Sequence, residues 1–391
     1  MKSNSPFRLD IVGGGIAGLT AAIALRAPDR RITVLEQSRL NTEIGALISL
    51  QANASKIIYE TFGLGKELEG ARGMLVNEVP LTTDEYGASR IVYHQKYLHD
   101  TLKKAALATD REGGAVEIRV SSRVIHCDPF SGTVETENGD RVEGDVSIGA
   151  DGIHSVLRKY VLEDEIIPLP TGHSDVLEEQ EPEFYSKINL RSPFSSMMVA
   201  HDCRLVMGPG RQGEVFGIVA LVPDERMNED PNAKQSWVSE GSLAKMLGTF
   251  SEFPEWVTSI FKRSRDLGVW QLRDIDPLHT WYRGRVLLIG DAAHVMLPTQ
   301  GQGASQAIED AEALGAFFAD QVESPSVEKI GSIFEDIFRS RYNRAGLIQW
   351  YSRQAARPGA SKEGNSHNFM TFSCKYHGAK DWLRQQTTSA A

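Results

Sequence analysis

Phe7-Arg8-Leu9-Asp10-Ile11-Val12-Gly13-Gly14-Gly15-Ile16-Ala17-Gly18, with its continuation to Glu36, decides the fold. Phe7 to Val12 is a short apolar run and predicts a strand. Gly15 to Ala27 places Ile16, Leu19, Ala22 and Ile23 at helical spacing, and Arg31 to Glu36 is again strand-like and β-branched. A strand, a helix and a strand within 30 residues make a βαβ unit. That unit predicts an α/β protein with a parallel sheet.

Between the first strand and its helix lies Gly13-x-Gly15-x-x-Gly18, and Glu36 closes the second strand 18 residues after Gly18. The first glycine permits a tight turn, the second lets a diphosphate approach the backbone, and the third lets helix and strand pack closely. Free N–H groups at the helix start bind an anion, and Glu36 would accept hydrogen bonds from a ribose diol. With 35 glycines in the chain the pattern alone is weak, but strand, helix and acid in register predict a dinucleotide site. The fingerprint fits NAD as well as FAD.

The rest of the 391-residue chain is compatible with this start. It is 41% hydrophobic and 24% charged, ample for a large core in two or three units. Its 42 Lys and Arg against 52 Asp and Glu give a net charge of −10, which disfavours a nucleic-acid or anionic-membrane binder. Cys127, Cys203 and Cys374 are too few and too scattered for a disulfide framework or a Cys-rich zinc site, so a reducing compartment and no metal are expected. A polar Met1 to Phe7 and the lack of a long apolar run indicate neither a signal peptide nor a membrane span. A cytoplasmic location is the expectation.

Beyond the βαβ unit, Gln95–Ala108 reads as a helix. The runs Val116–Val120, Arg123–Asp128, Gly132–Glu137 and Arg141–Ile148 read as strands, with Asn138-Gly139 a hairpin turn between the last two. From about Glu165 to Tyr282 the texture changes. Arg204–Met207 and Val215–Val222 are strand candidates, Gly208-Pro209-Gly210 a turn cluster, and βα alternation is scarce, as in an inserted β-rich domain. The βα style returns with a buried strand at Arg285–Ile289, an apolar-faced helix at Ala304–Asp320 and a long amphipathic helix at Ser326–Gln354. The expected division is 1–164, the first part of the nucleotide domain; 165–282, a substrate domain; 283–356, the nucleotide domain resumed with a C-terminal helix; and 357–391, a tail with partial disorder from Ala360.

Two further segments choose between the dinucleotides. Gly149-Ala150-Asp151-Gly152-Ile153-His154-Ser155-Val156-Leu157-Arg158 follows one strand, and Gly290-Asp291-Ala292-Ala293-His294 follows another. Each alone reads as a turn or a helix start. The second continues through Pro298-Thr299-Gln300-Gly301-Gln302-Gly303-Ala304 straight into a helix. An Asp at a strand end can bind a polyol chain, and a glycine-flanked helix start presents N–H groups and a positive dipole end to a reduced flavin's anionic edge. NAD has neither a polyol chain nor an anionic reduced ring, so FAD is the better fit.

In this order and at these separations, the three segments resemble the FAD-dependent aromatic hydroxylases. These are single-component flavoprotein monooxygenases typified by p-hydroxybenzoate and salicylate hydroxylases. The likeness spans Phe7 to Gln354. It is carried most specifically by Asp151, Gly152, Ser155 and Arg158 and by Gly-Asp-Ala-Ala-His with its downstream Pro and Gly-x-Gly. Glu43-Ile44-Gly45-Ala46 and Asn53 also resemble the salicylate-hydroxylase-like branch, which includes fungal natural-product hydroxylases. The resemblance implies a Rossmann-like, glutathione-reductase-type FAD-binding domain with the β-rich substrate domain inserted. By resemblance, Gly13, Gly15 and Gly18 form the diphosphate turn, Glu36 binds the adenosine ribose, and Gly45 and Ala46 lie along the FAD. Asp291 holds the ribityl chain, Gly303 and Ala304 face the pyrimidine, and Asp151 and Arg158 support the diphosphate and a passing nicotinamide. The implied chemistry is FAD reduction by NAD(P)H, reaction with O2, and delivery of an electrophilic oxygen to an electron-rich aromatic small molecule, possible in secondary-metabolite tailoring.

The chain departs from the pattern in places. His94-Gln95-Lys96 stands where the family carries His-Arg, so Gln95 at the FAD lacks a charge-assisted contact unless Lys96 or Arg90 supplies it. Thr171-Gly172-His173-Ser174 is followed by Asp175-Val176-Leu177 rather than Tyr-Arg, and Gly208-Pro209 replaces Tyr-Pro. No catalytic residue is therefore carried over. His201, Arg204 and Arg211 are anion-binding candidates against a plainer reading as solvated hairpin charges. For His294 a local hydrogen-bonding role is weighed against proton transfer, and Trp270, Trp281 and Tyr282 are weighed as junction or core aromatics. The altered substrate half leaves two alternatives: an oxidase, dehydrogenase or reductase without oxygen insertion, or a catalytically silent FAD-binding relative.

Overall fold

Phe7–Val12 lies inside a six-stranded sheet, with Arg30–Leu35 parallel on one side and Val146–Gly149 parallel on the other. Val286–Leu288 continues the sheet in parallel beyond Val146–Gly149, Tyr282–Arg283 closes that edge antiparallel, and Glu117–Arg119 closes the other. The computed structural model describes residues 6–39, 47–69, 74–75, 86–114, 116–163, 171–176, 196–200, 203–210, 215–222, 238–240, 242–262, 265–270, 274–321, 323–356 and 366–389. Phe7, Leu9, Ile11, Val34, Val146 and Ile148 are all buried, the signature of parallel strands covered on both faces. Helix Ile16–Ala24 packs beside Gln95–Leu107 and Gly303–Phe318. It stops short of the expected Ala27 because the residue before Pro28 disfavours helical geometry. The α/β expectation holds.

The run Arg141–Ile148 does not form one strand. Arg141–Glu143 joins Val124–Asp128 and Thr133–Thr136 in a small antiparallel sheet, through a hairpin whose Gly139 has φ +85°. Val146–Gly149 belongs to the parallel sheet. The break falls at Gly144-Asp145, where the Asp145 carboxylate accepts the backbone N–H of Arg8 at 2.9 Å and its guanidinium at 3.1 Å. A side chain at Gly144 would start 2.6 Å from Asp10 Oδ2.

Asp10 is itself buried in the first strand, and its Oδ2 has no partner among the described residues. Burial pushes its carboxyl up to about 6, against weaker opposing pulls from Arg8 and Arg119. A carboxyl raised above its unfolded value stabilises most when protonated, and that contribution is lost as the pH rises through about 6. Asp10→Asn mimics the protonated group. It is expected to leave stability unchanged near pH ~4 and to raise it by about 2–3 kcal/mol near pH ~8, measured by denaturant unfolding at the two pH values. A gain of equal size at both would contradict the assignment.

The second six-stranded sheet is antiparallel, in the order Ser196–Ala200, Cys203–Gly210, Val215–Leu221, Thr171–Val176, Arg265–Trp270, Val238–Glu240. It falls in sequence between the two parts of the parallel sheet. Gly208-Pro209-Gly210, expected as a turn, is instead the end of a strand paired to Val215–Leu221 out to Gly210↔Val215. On its other side the described pairing runs from Ser196↔Met207 to Ala200↔Cys203. Helix Glu255–Phe261 supplies Val257, Ile260 and Phe261, which pack with Cys203, Leu205, Met207 and Ile218, and helix Leu243–Thr249 adds the partly buried Met246 and Leu247. A third sheet pairs Leu47–Leu50 and Met74–Leu75 with Ile91–His94.

The tail also departs from expectation. Ser366–Cys374 and Ala379–Ser389 are helices, docked on the long helix Val327–Ala356 and on Gly303–Phe318. Phe369, Cys374, Tyr376 and Ala379 are buried, and Glu312 accepts the Tyr376 hydroxyl at 3.0 Å and the Ala379 N–H at 2.9 Å. Among the described residues no helix is long and apolar enough to cross a membrane, and the three cysteines are buried and form no disulfide.

Candidate active site

Parallel strands bring their carboxyl ends to one edge of a sheet, where an α/β fold binds its ligand. Val12, Leu35, Gly149 and Leu288 end there, and each is followed by a segment that the sequence singled out. Gly13 has φ +107°, and a Cβ on it would lie 2.2 Å from the Ala150 carbonyl oxygen. A Cβ on Gly18 would lie 1.9 Å from the Gly13 carbonyl oxygen. A Cβ on Gly15, by contrast, meets nothing within 4 Å, and Gly15 begins helix Ile16–Ala24 with no side-chain cap. The first two glycines let backbone pack on backbone; the third leaves the helix start open to an anion.

Glu36 is buried beside this turn and does more than the ribose role requires. Its Oε2 accepts the Gly14 N–H and its Oε1 the Ser38 N–H, both at 2.7 Å, while the His99 ring bonds the Gly14 carbonyl at 2.7 Å. Glu36→Gln keeps the size but leaves one backbone N–H without an acceptor. It is expected to cost about 1–3 kcal/mol of stability and to weaken FAD binding about tenfold or more, read by flavin fluorescence titration. Gly45 and Ala46 lie outside the described residues. Gln95 begins its helix half-buried with no hydrogen bond to a described residue, and Lys96 pairs with Asp100 at 2.9 Å on the surface. The missing arginine is thus not replaced by Lys96.

Asp151 caps helix Val156–Leu162, accepting the Ser155 hydroxyl at 2.6 Å and the N–H groups of Val156 and Leu157 at 2.7 and 3.1 Å. Burial raises its carboxyl although these bonds pull the other way. Arg158 is buried and donates to the carbonyls of Ala292 at 2.8 Å, Asp291 at 2.7 Å, Ile153 at 3.0 Å and Gly152 at 3.3 Å. Its guanidinium joins the two Asp-bearing segments to each other. Arg158 therefore shapes the site through the backbone it holds, not by offering its own fork to a ligand.

Gly290, at φ +59°, turns the chain against the first helix: its Cβ would lie 2.9 Å from that of Ala17. Asp291 follows with its carbonyl held by Arg158, while its side chain is open to solvent and makes no hydrogen bond to a described residue. Enough protein surrounds it that desolvation raises its carboxyl, as expected of a group on the wall of a groove. Gly303 has nothing within 4 Å of a Cβ position and starts the 16-residue helix Gly303–Phe318, whose N-cap Gln302 contributes no side-chain capping bond. The turn before it carries Gly301 at φ +61°. Two open helix starts, an unpartnered carboxylate at a strand end and glycine gaps form a cradle that fits FAD.

Beneath this edge lies a charged cluster that the sequence reading did not find. Asp310 accepts the Gly290 N–H at 2.8 Å, His294 Nε2 at 2.6 Å and Arg341 Nε at 2.9 Å. Glu309 accepts Asn53 Nδ2 at 2.6 Å and Arg344 Nε and Nη2 at 2.7 Å, and also pairs with Arg341. Despite burial, Arg344 and Arg341 hold the Glu309 carboxyl below the usual range, and His294 and Arg341 do so for Asp310. His294 thus has the local hydrogen-bonding role. The cluster's signal was present as acids and arginines on otherwise apolar helix faces. Trp281 is buried against Phe338 and Tyr342, and the Tyr282 hydroxyl bonds Glu335 at 2.8 Å, so both are core aromatics under the long helix. The side chains of His201, Arg204, Arg211 and Trp270 lie outside the described residues.

A family model described as an FAD binding domain matches residues 8–328. The chain is 27% identical over 364 residues to a hispidin-3-hydroxylase of Neonothopanus nambi, covering 85% of each. It is 31% identical over 368 residues to a 3-hydroxybenzoate 6-hydroxylase of Aquipseudomonas alcaligenes, covering 88% of each. Among solved structures, a salicylate hydroxylase substrate complex superposes with a TM-score of 0.78 at 26% identity, covering 98% of each chain.

Proposed function

This chain belongs to the FAD binding domain family, as an FAD-dependent monooxygenase, and we propose that it uses NAD(P)H and O2 to hydroxylate a phenolic or other electron-rich ring of a small molecule. The observation that carries this reading is the meeting of the Gly13 turn, the Asp151 segment and the Asp291 segment at one sheet edge, with the Asp291 side chain exposed there. Similarity to hydroxylases acting on hispidin and hydroxybenzoate supports the ring substrate, and the fungal relative supports a role in natural-product tailoring.

When bound, FAD relays electrons from NAD(P)H to O2. The residues supply placement. The open start of helix Ile16–Ala24 takes the diphosphate, Glu36 the ribose, and Asp291 the ribityl hydroxyls. The amides of Gly303 and Ala304, at the positive end of a long helix dipole, face the pyrimidine edge that gains charge on reduction. Asp310, by holding the Gly290 N–H, fixes where Asp291 points. We assign residues 165–282 as the substrate domain, inserted between 1–164 and 283–356, with 357–391 as a tail. Three reduced, buried thiols support a cytosolic setting.

Purified protein is expected to show a flavin spectrum that bleaches with NAD(P)H. With a phenolic library and isotopically labelled O2, the label should enter a product. Substrate oxidation without label would make it an oxidase or dehydrogenase. Flavin that stays oxidised with every ligand would make it a silent relative, and colourless protein that refuses added FAD would end the reading.

A further inference from the structure

Among the described residues, the buried arginines have both terminal nitrogens engaged. Arg30 donates to the carbonyls of Leu25 at 2.9 Å and Gln321 at 3.0 Å, Arg158 holds four carbonyls, and Arg341 and Arg344 meet Glu309. Arg90 differs. It sits just before strand Ile91–His94, and its Nε donates to Ser49 Oγ at 2.8 Å on the neighbouring strand. Neither terminal nitrogen has a partner among the described residues, yet neither is sealed from solvent. The surroundings remove enough water to disfavour its charge, and among the described residues the ionisable group acting on it is the Cys374 thiol rather than a carboxylate. A desolvated guanidinium, oriented at one nitrogen and open at its fork, is suited to an arriving anion.

Its position says which anion. The Ser49 Cβ lies 3.9 Å from where a Gly301 side chain would begin, and the Gln51 N–H donates to Ser305 Oγ at 3.1 Å. Arg90 is thus anchored beside the helix start that takes the pyrimidine end of FAD. The strand after Arg90 touches Cys203–Gly210 of the antiparallel sheet, so this is where the sheets meet. The diphosphate and the anionic flavin edge already have open helix starts.

We propose that Arg90, oriented by Ser49, is the specificity-determining residue that binds an anionic oxygen of the ring substrate, a carboxylate or an ionised phenol. The inference rests on the monooxygenase reading. Its test uses FAD-loaded protein titrated with salicylate against the uncharged isostere salicylamide, and with para-nitrophenolate against nitrobenzene, read through perturbation of the visible flavin spectrum. The unaltered protein should prefer at least one anion over its neutral counterpart by about tenfold or more, and the pair that shows it tells carboxylate from phenolate. Arg90→Gln should lower that preference to about threefold or less with FAD affinity kept, and Ser49→Ala, which removes only the orienting bond, should lower it by a smaller factor. An undiminished preference in R90Q, no preference in the unaltered protein, or loss of FAD from R90Q would each overturn the proposal. Colourless or irreducible protein would instead strike the reading beneath it.

Discussion

Replacing Arg341 by methionine is expected to destabilise the protein by about 3–5 kcal/mol at pH ~7, a large fraction of what holds an ordinary domain together. Arg341 is fully buried. Its guanidinium touches Glu309, Asp310 at 2.9 Å, and the Gln306 carbonyl and side-chain oxygens at 3.2 and 2.7 Å. Two acids and two arginines, with Arg344 the fourth member, balance in charge. Methionine fills most of the volume but leaves two carboxylates facing one cation in a medium that solvates neither. The pH dependence identifies the cause. In the unaltered protein both carboxyls are held below the usual range, so their contribution is present above the unfolded value and lost only as the pH falls through the lower folded value. In the variant an orphaned carboxyl has its pKa raised, so stability falls as pH rises through that value. The deficit should therefore shrink on lowering the pH from about 8 toward 5. Because Asp310 also holds Gly290, FAD binding should weaken in parallel. A deficit under about 1 kcal/mol, or one independent of pH, would show that the cluster is not a charge-balanced unit.

What the sequence made legible follows from how local each determinant is. The strands at Phe7–Val12 and Arg30–Leu35, the Gly13 turn and the Asn138-Gly139 hairpin each follow from a few adjacent residues, and they stand where the pattern placed them. Asp151 and Asp291 were legible as residues because a strand end fixes their location. Their differing surroundings were not: Asp151 is engaged as a cap and Asp291 is left free. Where the reading failed, a distant partner decided the outcome. The strand from Arg141 changes sheets because Arg8 holds Asp145 across the parallel sheet. Pro209 stays in a strand because Val215–Leu221 pairs with it out to Gly210. The tail is ordered by Arg344, whose fork bonds the Phe372 and Ser373 carbonyls at 3.0 and 2.6 Å, and by Glu312. Arg341, Arg344 and Glu309 were read as parts of amphipathic helices, since a charge on an apolar face reveals its role only when its counter-ion arrives from elsewhere in the chain.

The fingerprint glycines separate folding from cofactor binding, and substituting two of them should produce opposite phenotypes. A methyl on Gly18 would lie 1.9 Å from the Gly13 carbonyl oxygen, 3.1 Å from its carbon and 3.3 Å from Ile11 Cγ2. Backbone cannot step aside as a side chain does, so in Gly18→Ala the helix must lift off the first strand. That overpacking costs about 1–3 kcal/mol or more, lowers the unfolding midpoint, and pulls the open helix start out of line with the Asp291 turn. Gly15→Ala meets no protein atom within 4 Å, and its φ of −75° suits alanine. It should keep stability within about 1 kcal/mol. Its methyl, however, occupies the space through which a diphosphate must approach the first-turn N–H groups, so FAD affinity should fall by about a hundredfold. Denaturant unfolding of the FAD-free protein and FAD titration of the same samples read the two effects separately. If Gly15→Ala binds FAD like the unaltered protein, the diphosphate does not lie over this helix start, and the whole cofactor runs in the reverse direction or lies elsewhere. If Gly18→Ala is as stable as the unaltered protein, the helix floats above the strand more loosely than a 1.9 Å clearance allows, and the turn is no longer the rigid element that positions Glu36 and the groove.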